Sequence, residues 1–222
     1  MISAVVFDFD GTLADSFPMI HRAYEHALRS LGQKITFSDI PRLCFNKTEE
    51  SITKELGLPE KVDEFQHAYF SYLQSNTKEV VPLPGAESML KHLQKLDVPM
   101  GLVTFSQRWY IEQVVPQLGW SDYFTSIISF NDVRKPKPDP EAIFLINKVL
   151  QIDPQCILVV GDAKNDILLG KNAQTQTALV AHPSLQTYHN STDIARLTSP
   201  DHTINQLEQV VQIVRAATPT IL

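Results

Sequence analysis

No run of apolar residues in this 222-residue chain approaches the ~18 that a membrane-crossing helix needs, so no such helix is expected. The N-terminus passes directly into a short apolar strand, with no basic segment, apolar stretch and cleavage site of the secretory kind. A cytoplasmic protein is the expectation. Cysteine is scarce: Cys44 and Cys156 lie far apart and outside any CxxC or Cys/His ligand pattern, so both are expected to be buried free thiols. A basic run is also missing and the net charge is -6, which argues against nucleic acid as a partner, because binding a phosphate backbone needs a clustered positive surface. An anionic substrate would have to be met by a metal or by a few placed cations. No internal repeat or low-complexity segment is apparent. What remains, 43% apolar and 20% charged residues, is the composition of an ordinary soluble globular protein.

From about residue 82 the chain alternates between two periods. Helical spacing at Ala86, Met89, Leu90, Leu93 and Leu96 precedes a strand-like "MGLVTF". A helix through Ile111, Val114, Val115 and Leu118 leads to "SIISF", and one through Ile143, Phe144 and Asn147 to "CILVVGD". A helix from about Asn165, a short "TALVA" strand and a terminal helix through Ile204, Leu207, Val210, Val211 and Val214 complete the pattern. Such alternation predicts βαβ units and a mainly parallel sheet covered on both faces. Between "AVVF" and that region, residues 16–80 show only helical spacing, at Phe17, Ile20, Tyr24, Ala27, Leu28 and Leu31 and again at Val62, Phe65, Tyr69 and Tyr72. The expected organisation is an α/β Rossmann-like core of residues 1–15 and 81–222 with an inserted helical subdomain, 16–80. Its hinges are expected near Thr12 to Ser16 and near "EVVPLPG".

Parallel sheets bind ligands at the carboxyl ends of their strands, so those ends carry the functional reading. In order they supply Asp8 and Asp10 in "FDFDGT", Thr104 and Ser106 in "LVTFSQ", Lys135 in "VRKPKPDP", and Asp162 and Asp166 in "VVGDAKND". Each has a plain explanation. Aspartate before Gly11 suits a turn, Asp162 could cap the following helix, Asp166 could face its dipole, and "RKPKP" could be a solvated loop. Burying a carboxylate is costly without compensation, and convergence of the strand ends favours a shared cation. Carboxylates are hard ligands suited to magnesium, which takes one or two of them along with water and substrate phosphate oxygens. Lys135 is expected in the site and Lys137 in solvent. One aspartate beside phosphorus can act as a nucleophile.

In these motifs the chain resembles the haloacid dehalogenase superfamily of phosphatases: "DFDGTLADS", "LVTFS", the lysine of "RKPKPDP" and "GDAKND" match its four motifs in order. The helical insertion is similar to the cap of the phosphoglycolate phosphatase-like branch. The resemblance implies Mg2+-dependent hydrolysis of a small phosphate monoester, phosphoglycolate-like or a sugar phosphate. Asp8 would be the nucleophile and Asp10 the acid and base. Asp8, Asp162 and the Asp10 backbone carbonyl would hold the metal, supported by Asp166. Thr104, Lys135, Phe105 and the backbone N–H of Phe9 would line the phosphate cradle, and Gly11 would permit the turn. Ala163 and Phe105 depart from the residues common in relatives. Phe45, in the cap loop "RLCFNKTEES", stands where many relatives carry glycine; Arg42 and Lys47 of that loop could meet an anionic leaving group, although charged cap residues are more often simply solvated. His21 reads as an ordinary helix residue, and Arg108 as a side chain at the surface or beside substrate. A sugar phosphomutase of the same architecture, a phospho-receiver signalling module and a catalytically idle binding protein are the alternatives, with neither nucleic acid nor membrane as partner.

Overall fold

The computed structural model describes residues 1–216. In chain order the elements are β1 (Ala4–Phe7), β2 (Ala14–Asp15), α1 (Phe17–Ser30), α2 (Ile40–Cys44), α3 (Glu49–Glu55), α4 (Val62–Asn76), β3 (Val81–Pro82), α5 (Ala86–Lys95) and β4 (Met100–Val103). They continue as α6 (Arg108–Gln117), β5 (Ser126–Ile128), α7 (Glu141–Leu150), β6 (Ile157–Gly161), α8 (Lys164–Asn172), β7 (Gln176–Val180), α9 (Ser191–Thr198), β8 (His202–Ile204) and α10 (Gln209–Ala216). Six strands pair in the order β5-β4-β1-β6-β7-β8, every pairing parallel. This is the α/β, Rossmann-like sheet that the alternating pattern predicts.

β1 lies at the centre because it is apolar on both faces. Val5 and Phe7 join the larger hydrophobic cluster, while Ala4 and Val6 join Ile143, Ile146 and Val159 on the opposite face. Successive strand residues point to opposite sides, so a four-residue run with no polar position suits only a strand covered twice. The chain leaves β1 for β4 on one side and later returns to β6 on the other, which makes the end of β1 the switch point where such sheets open a crevice. Phe7 is level with Leu102 and with Val160. Asp8, Thr104 and Asp162 therefore emerge together at one edge.

The segment between β2 and β3 is helical throughout. α1 buries Phe17, Ile20, Tyr24, Ala27 and Leu28, the face its spacing predicts. It packs on α4, where Tyr24 stacks on Tyr69 with ring centroids 4.4 Å apart. β2 and β3 form a two-stranded antiparallel ribbon, Ala14 opposite Pro82 and Asp15 opposite Val81, so the two chain crossings run side by side.

The terminal helix is shorter than the sequence predicts, and both Ile204 and Leu207 precede it. Ile204 lies in a strand, β8, and not in the terminal helix, which begins at Gln209. The cause is a tertiary contact: Asp201 accepts from both the N–H and the hydroxyl of Thr177, which docks this short segment onto β7. α9 was not anticipated at all. Cys44 is buried, as expected, whereas Cys156 is only half-buried; both are free.

Candidate active site

The turn after β1 begins the site. Gly11 has φ +83°, and a Cβ there would meet the Phe17 ring at 2.4 Å and Asp162 Oδ2 at 2.9 Å. Only glycine both adopts this backbone and admits that approach. The turn brings Thr12 back over Asp8: its hydroxyl is 3.0 Å from Asp8 Oδ2 and 2.7 Å from Asp162 Oδ1. With one proton, Thr12 serves one carboxylate at a time.

Asp8, Asp162 and Asp166 are all buried, with ligand oxygens within 4.8 Å of one another. The cation that answers them is Lys137, not Lys135. Lys137 Nζ donates to Asp8 Oδ1 at 2.6 Å, to Asp166 Oδ1 at 2.7 Å and to the Val103 carbonyl at 3.4 Å, and its side chain is 6% exposed. Lys135 corrects the sequence expectation: its side chain is 76% exposed, and its Nζ lies 3.9 Å from Asp139. Glu141, at the start of α7, accepts from the N–H groups of Arg134 and Lys135 and pins the first half of the loop outside the site. The second half then turns Lys137 inward. In "RKPKP" the two lysines share one local environment, and their difference arises only where the loop meets two buried carboxylates.

Burial dominates the titration of this cluster. It pushes Asp8 up to about 7, against the lowering charge of Lys137 and with the raising charge of Asp166. Burial, then the charges of Asp8 and Asp166, raises Asp162 well above the carboxylate range. Burial also opposes the charge of Lys137, but Asp166 and Asp8 outweigh it and hold the ammonium more firmly than in water. A pairing this buried is costly unless each partner is satisfied, and one lysine does not balance three carboxylates. Asp162 Oδ2 in addition has no hydrogen-bond partner among the described residues. A buried carboxyl oxygen without such a partner in an over-acidic cluster is what a hard divalent cation would complete, so the residues present fit magnesium.

Asp10 is handled separately. Its carboxylate accepts from the Ser106 hydroxyl at 2.6 Å and from the Tyr110 hydroxyl at 3.1 Å. Burial raises its pKa, against the Ser106 bond. Thr104, just past β4, is buried, and its Oγ1 accepts the Ser106 N–H at 3.0 Å, which leaves the hydroxyl proton for a ligand. Asp166 also caps α8 from within, its Oδ2 accepting the Ala163 N–H at 2.9 Å. Asp162 bonds Thr12 instead of capping that helix. Phe9 points into the core, edge-on to Tyr110 and Trp120.

A cleft of about 860 Å³, its open mouth included, rises from Asp8 and Asp10 between the sheet edge and the helical segment. Phe105, Phe45 and Lys47 line it, as does Glu49; Arg42 is exposed and does not. Lys47 is paired with Glu55 at 2.5 Å. His21 is buried, its ring bonded to the Phe37 carbonyl. Arg108 is tied to Asp132 and to the Ile127 carbonyl. Sequence reasoning missed Lys137, Thr12 and Tyr110. It also missed His189, whose Nε2 lies 3.3 Å from Asp162 Oδ2 without the alignment of a hydrogen bond and whose pKa burial lowers to about 4. The threonine of "DGT" offered a signal; the tyrosine and the histidine, 100 or more residues from Asp8 along the chain, offered none.

Residues 5–180 match the family model described as "haloacid dehalogenase-like hydrolase". The chain is 29% identical to the pyrophosphatase PpaX of Oceanobacillus iheyensis, over 96% of this chain and 97% of that one. It is 30% identical to the phosphoglycolate phosphatase of Vibrio vulnificus, over 96% of each. A solved haloacid dehalogenase-like hydrolase from Bacteroides fragilis superposes with a TM-score of 0.85 at 25% identity, over 95% of this chain and all of that one. Four strand ends converging on one acidic cluster, a match over most of the chain and relatives named as phosphatases lead to one identification: the chain belongs to the haloacid dehalogenase-like hydrolases, as a phosphatase of the phosphoglycolate phosphatase-like branch.

Proposed function

We propose that the protein hydrolyses a small phosphate monoester, with magnesium, through an aspartyl phosphate on Asp8. The observation that carries this reading is the division between the two acids of "DFD". Asp8 lies in a cluster of carboxylates with a buried lysine, whereas Asp10 is held apart by Ser106 and Tyr110. An Asp8 oxygen attacks phosphorus as the ester P–O bond breaks, and the departing oxygen takes the proton of Asp10, whose raised pKa suits it to carry one. Water then attacks the phosphorus of the aspartyl phosphate, Asp10 takes the water's proton, and the Asp8 carboxylate is restored.

Lys137 and the Thr104 hydroxyl neutralise and orient the phosphoryl oxygens, which is most of what phosphoryl transfer asks of a protein. Phe105 borders the same cradle, to which the Phe9 N–H is assigned as a further donor. Asp8, Asp162 and the Asp10 backbone carbonyl would hold magnesium, with Asp166 supporting through Lys137. Bound there, the ion would offset the repulsion between an anionic nucleophile and an anionic ester. The helical residues 16–80 act as a cap that closes over the leaving group, hinged at the β2–β3 ribbon. Phosphate monoesters supplied with magnesium should release inorganic phosphate in step with substrate loss, which also separates hydrolysis from mutase transfer. Asp8→Asn and Asp10→Asn should each abolish turnover; full activity in Asp8→Asn would overturn the mechanism.

A further inference from the structure

The geometry points to a substrate whose leaving alcohol is an uncharged, ring-bearing group and not a small carboxylate; this inference rests on the phosphatase reading above. Beside the polar Asn46, Thr48 and Gln107, the cleft carries aromatic rings contributed by both the helical segment and the sheet domain. Phe70, on α4, meets Trp109, on α6, edge to face with ring centroids 6.1 Å apart. Phe105 and Phe130 form a second ring pair, with centroids 5.1 Å apart. All four rings are half-buried, so each keeps a free surface, and all four line the cleft. Half-buried ring edges and faces of this kind gain by covering another planar group.

Charge excludes the other class. Among the described residues that line the cleft, the cations are Lys137 and Lys47. Lys137 sits against Asp8 and Asp166 at the place assigned to the phosphoryl oxygens, and Lys47 is paired with Glu55. Glu49 lines the same space. A leaving group with its own carboxylate would enter beside an acid and find no unpaired cation, a desolvation cost without compensation. The sugar hydroxyls of a polar leaving group would likewise lose water against phenyl and indole surfaces. An uncharged ring loses little and buries apolar area. Phe70, from α4, and Trp109, from α6, set this preference.

With magnesium, kcat/KM should be at least about tenfold higher for benzyl phosphate than for 2-phosphoglycolate or glucose 6-phosphate, the scale on which apolar pockets discriminate. Trp109→Ala and Phe70→Ala should each lower the ratio of benzyl phosphate to methyl phosphate turnover by about tenfold. Trp109→Phe should restore most of it, which separates loss of an aromatic wall from loss of fold. Calorimetry with the magnesium-loaded protein should show benzylphosphonate binding more tightly than phosphonoacetate, a readout independent of turnover. Preference for 2-phosphoglycolate, lost in Lys47→Met, or a ratio unmoved by either alanine variant, would overturn the proposal while the phosphatase reading stood. Release of phosphate from none of these esters, with benzylphosphonate still preferred in binding, would remove the hydrolytic reading and keep the ligand class.

Discussion

Lys137 and Lys135 differ by two positions and by nearly the whole range of side-chain exposure, 6% against 76%. Replacing Lys137 with methionine leaves Asp8 and Asp166 buried and unpaired, so phosphatase activity should fall by at least ~100-fold. Steady-state rates should show Lys135→Met close to wild type. Titration at the residue scale also predicts a pH dependence for the metal-free protein. The folded-state pKa of Asp8 is raised to about 7, above its unfolded value, so its contribution is fully present below about pH 4 and is lost as pH rises through 7. His189 has the opposite sign. Its folded-state pKa is lowered to about 4, so its contribution is present above about pH 6.5 and is lost as pH falls through 4. Between these limits the two oppose one another. Thermal melts of His189→Phe in a chelating buffer should therefore decline more steeply than wild type from pH 4 to 6.5.

At the scale of elements, the end of β6 and the start of α8 act as one unit. Asp166 reaches back to the Ala163 N–H and across to Lys137, and it does so over Gly161. A Cβ on that glycine would lie 2.3 Å from the Asp166 Cβ. Gly161→Ala should cost about 1–3 kcal/mol by overpacking, read as a lowered denaturation midpoint, and should displace Asp166 from Lys137. Much of this scale was legible beforehand. The buried faces of α1, α5 and α6 fall largely on the predicted periodic residues, whereas α7 buries Ile143 and Ile146 and leaves the predicted Phe144 exposed. β8 was not legible, since "HTI" is too short for a period of two to stand out and its pairing depends on Asp201 bonding Thr177. α9 is short and exposed, with one buried residue, Thr198, so no apolar face announced it.

For the whole molecule, the acidic cluster is a cost that a bound cation would relieve. A ligand that binds only the folded state adds stability by mass action, about 2.7 kcal/mol at a hundredfold excess over Kd. Magnesium should thus raise the melting temperature, chelation should reverse the rise together with activity, and Asp162→Asn should abolish the shift in calorimetry. Asp8, Thr104 and Asp162 could be proposed from sequence because each closely follows an apolar run, with Asp10 and Asp166 a few residues on, and parallel strands deliver their carboxyl ends to one edge. That is the part the sequence by itself determined: period and apolar runs are local properties, and they dictate the sheet, the helices and the polar residues that end each strand. Which lysine turns inward, how Tyr110 and Ser106 hold Asp10, and how Phe70 of α4 comes to meet Trp109 of α6 edge to face were decided only by the tertiary structure. Those outcomes depend on the burial of charge and the meeting of surfaces far apart in the chain, and no local pattern carries either.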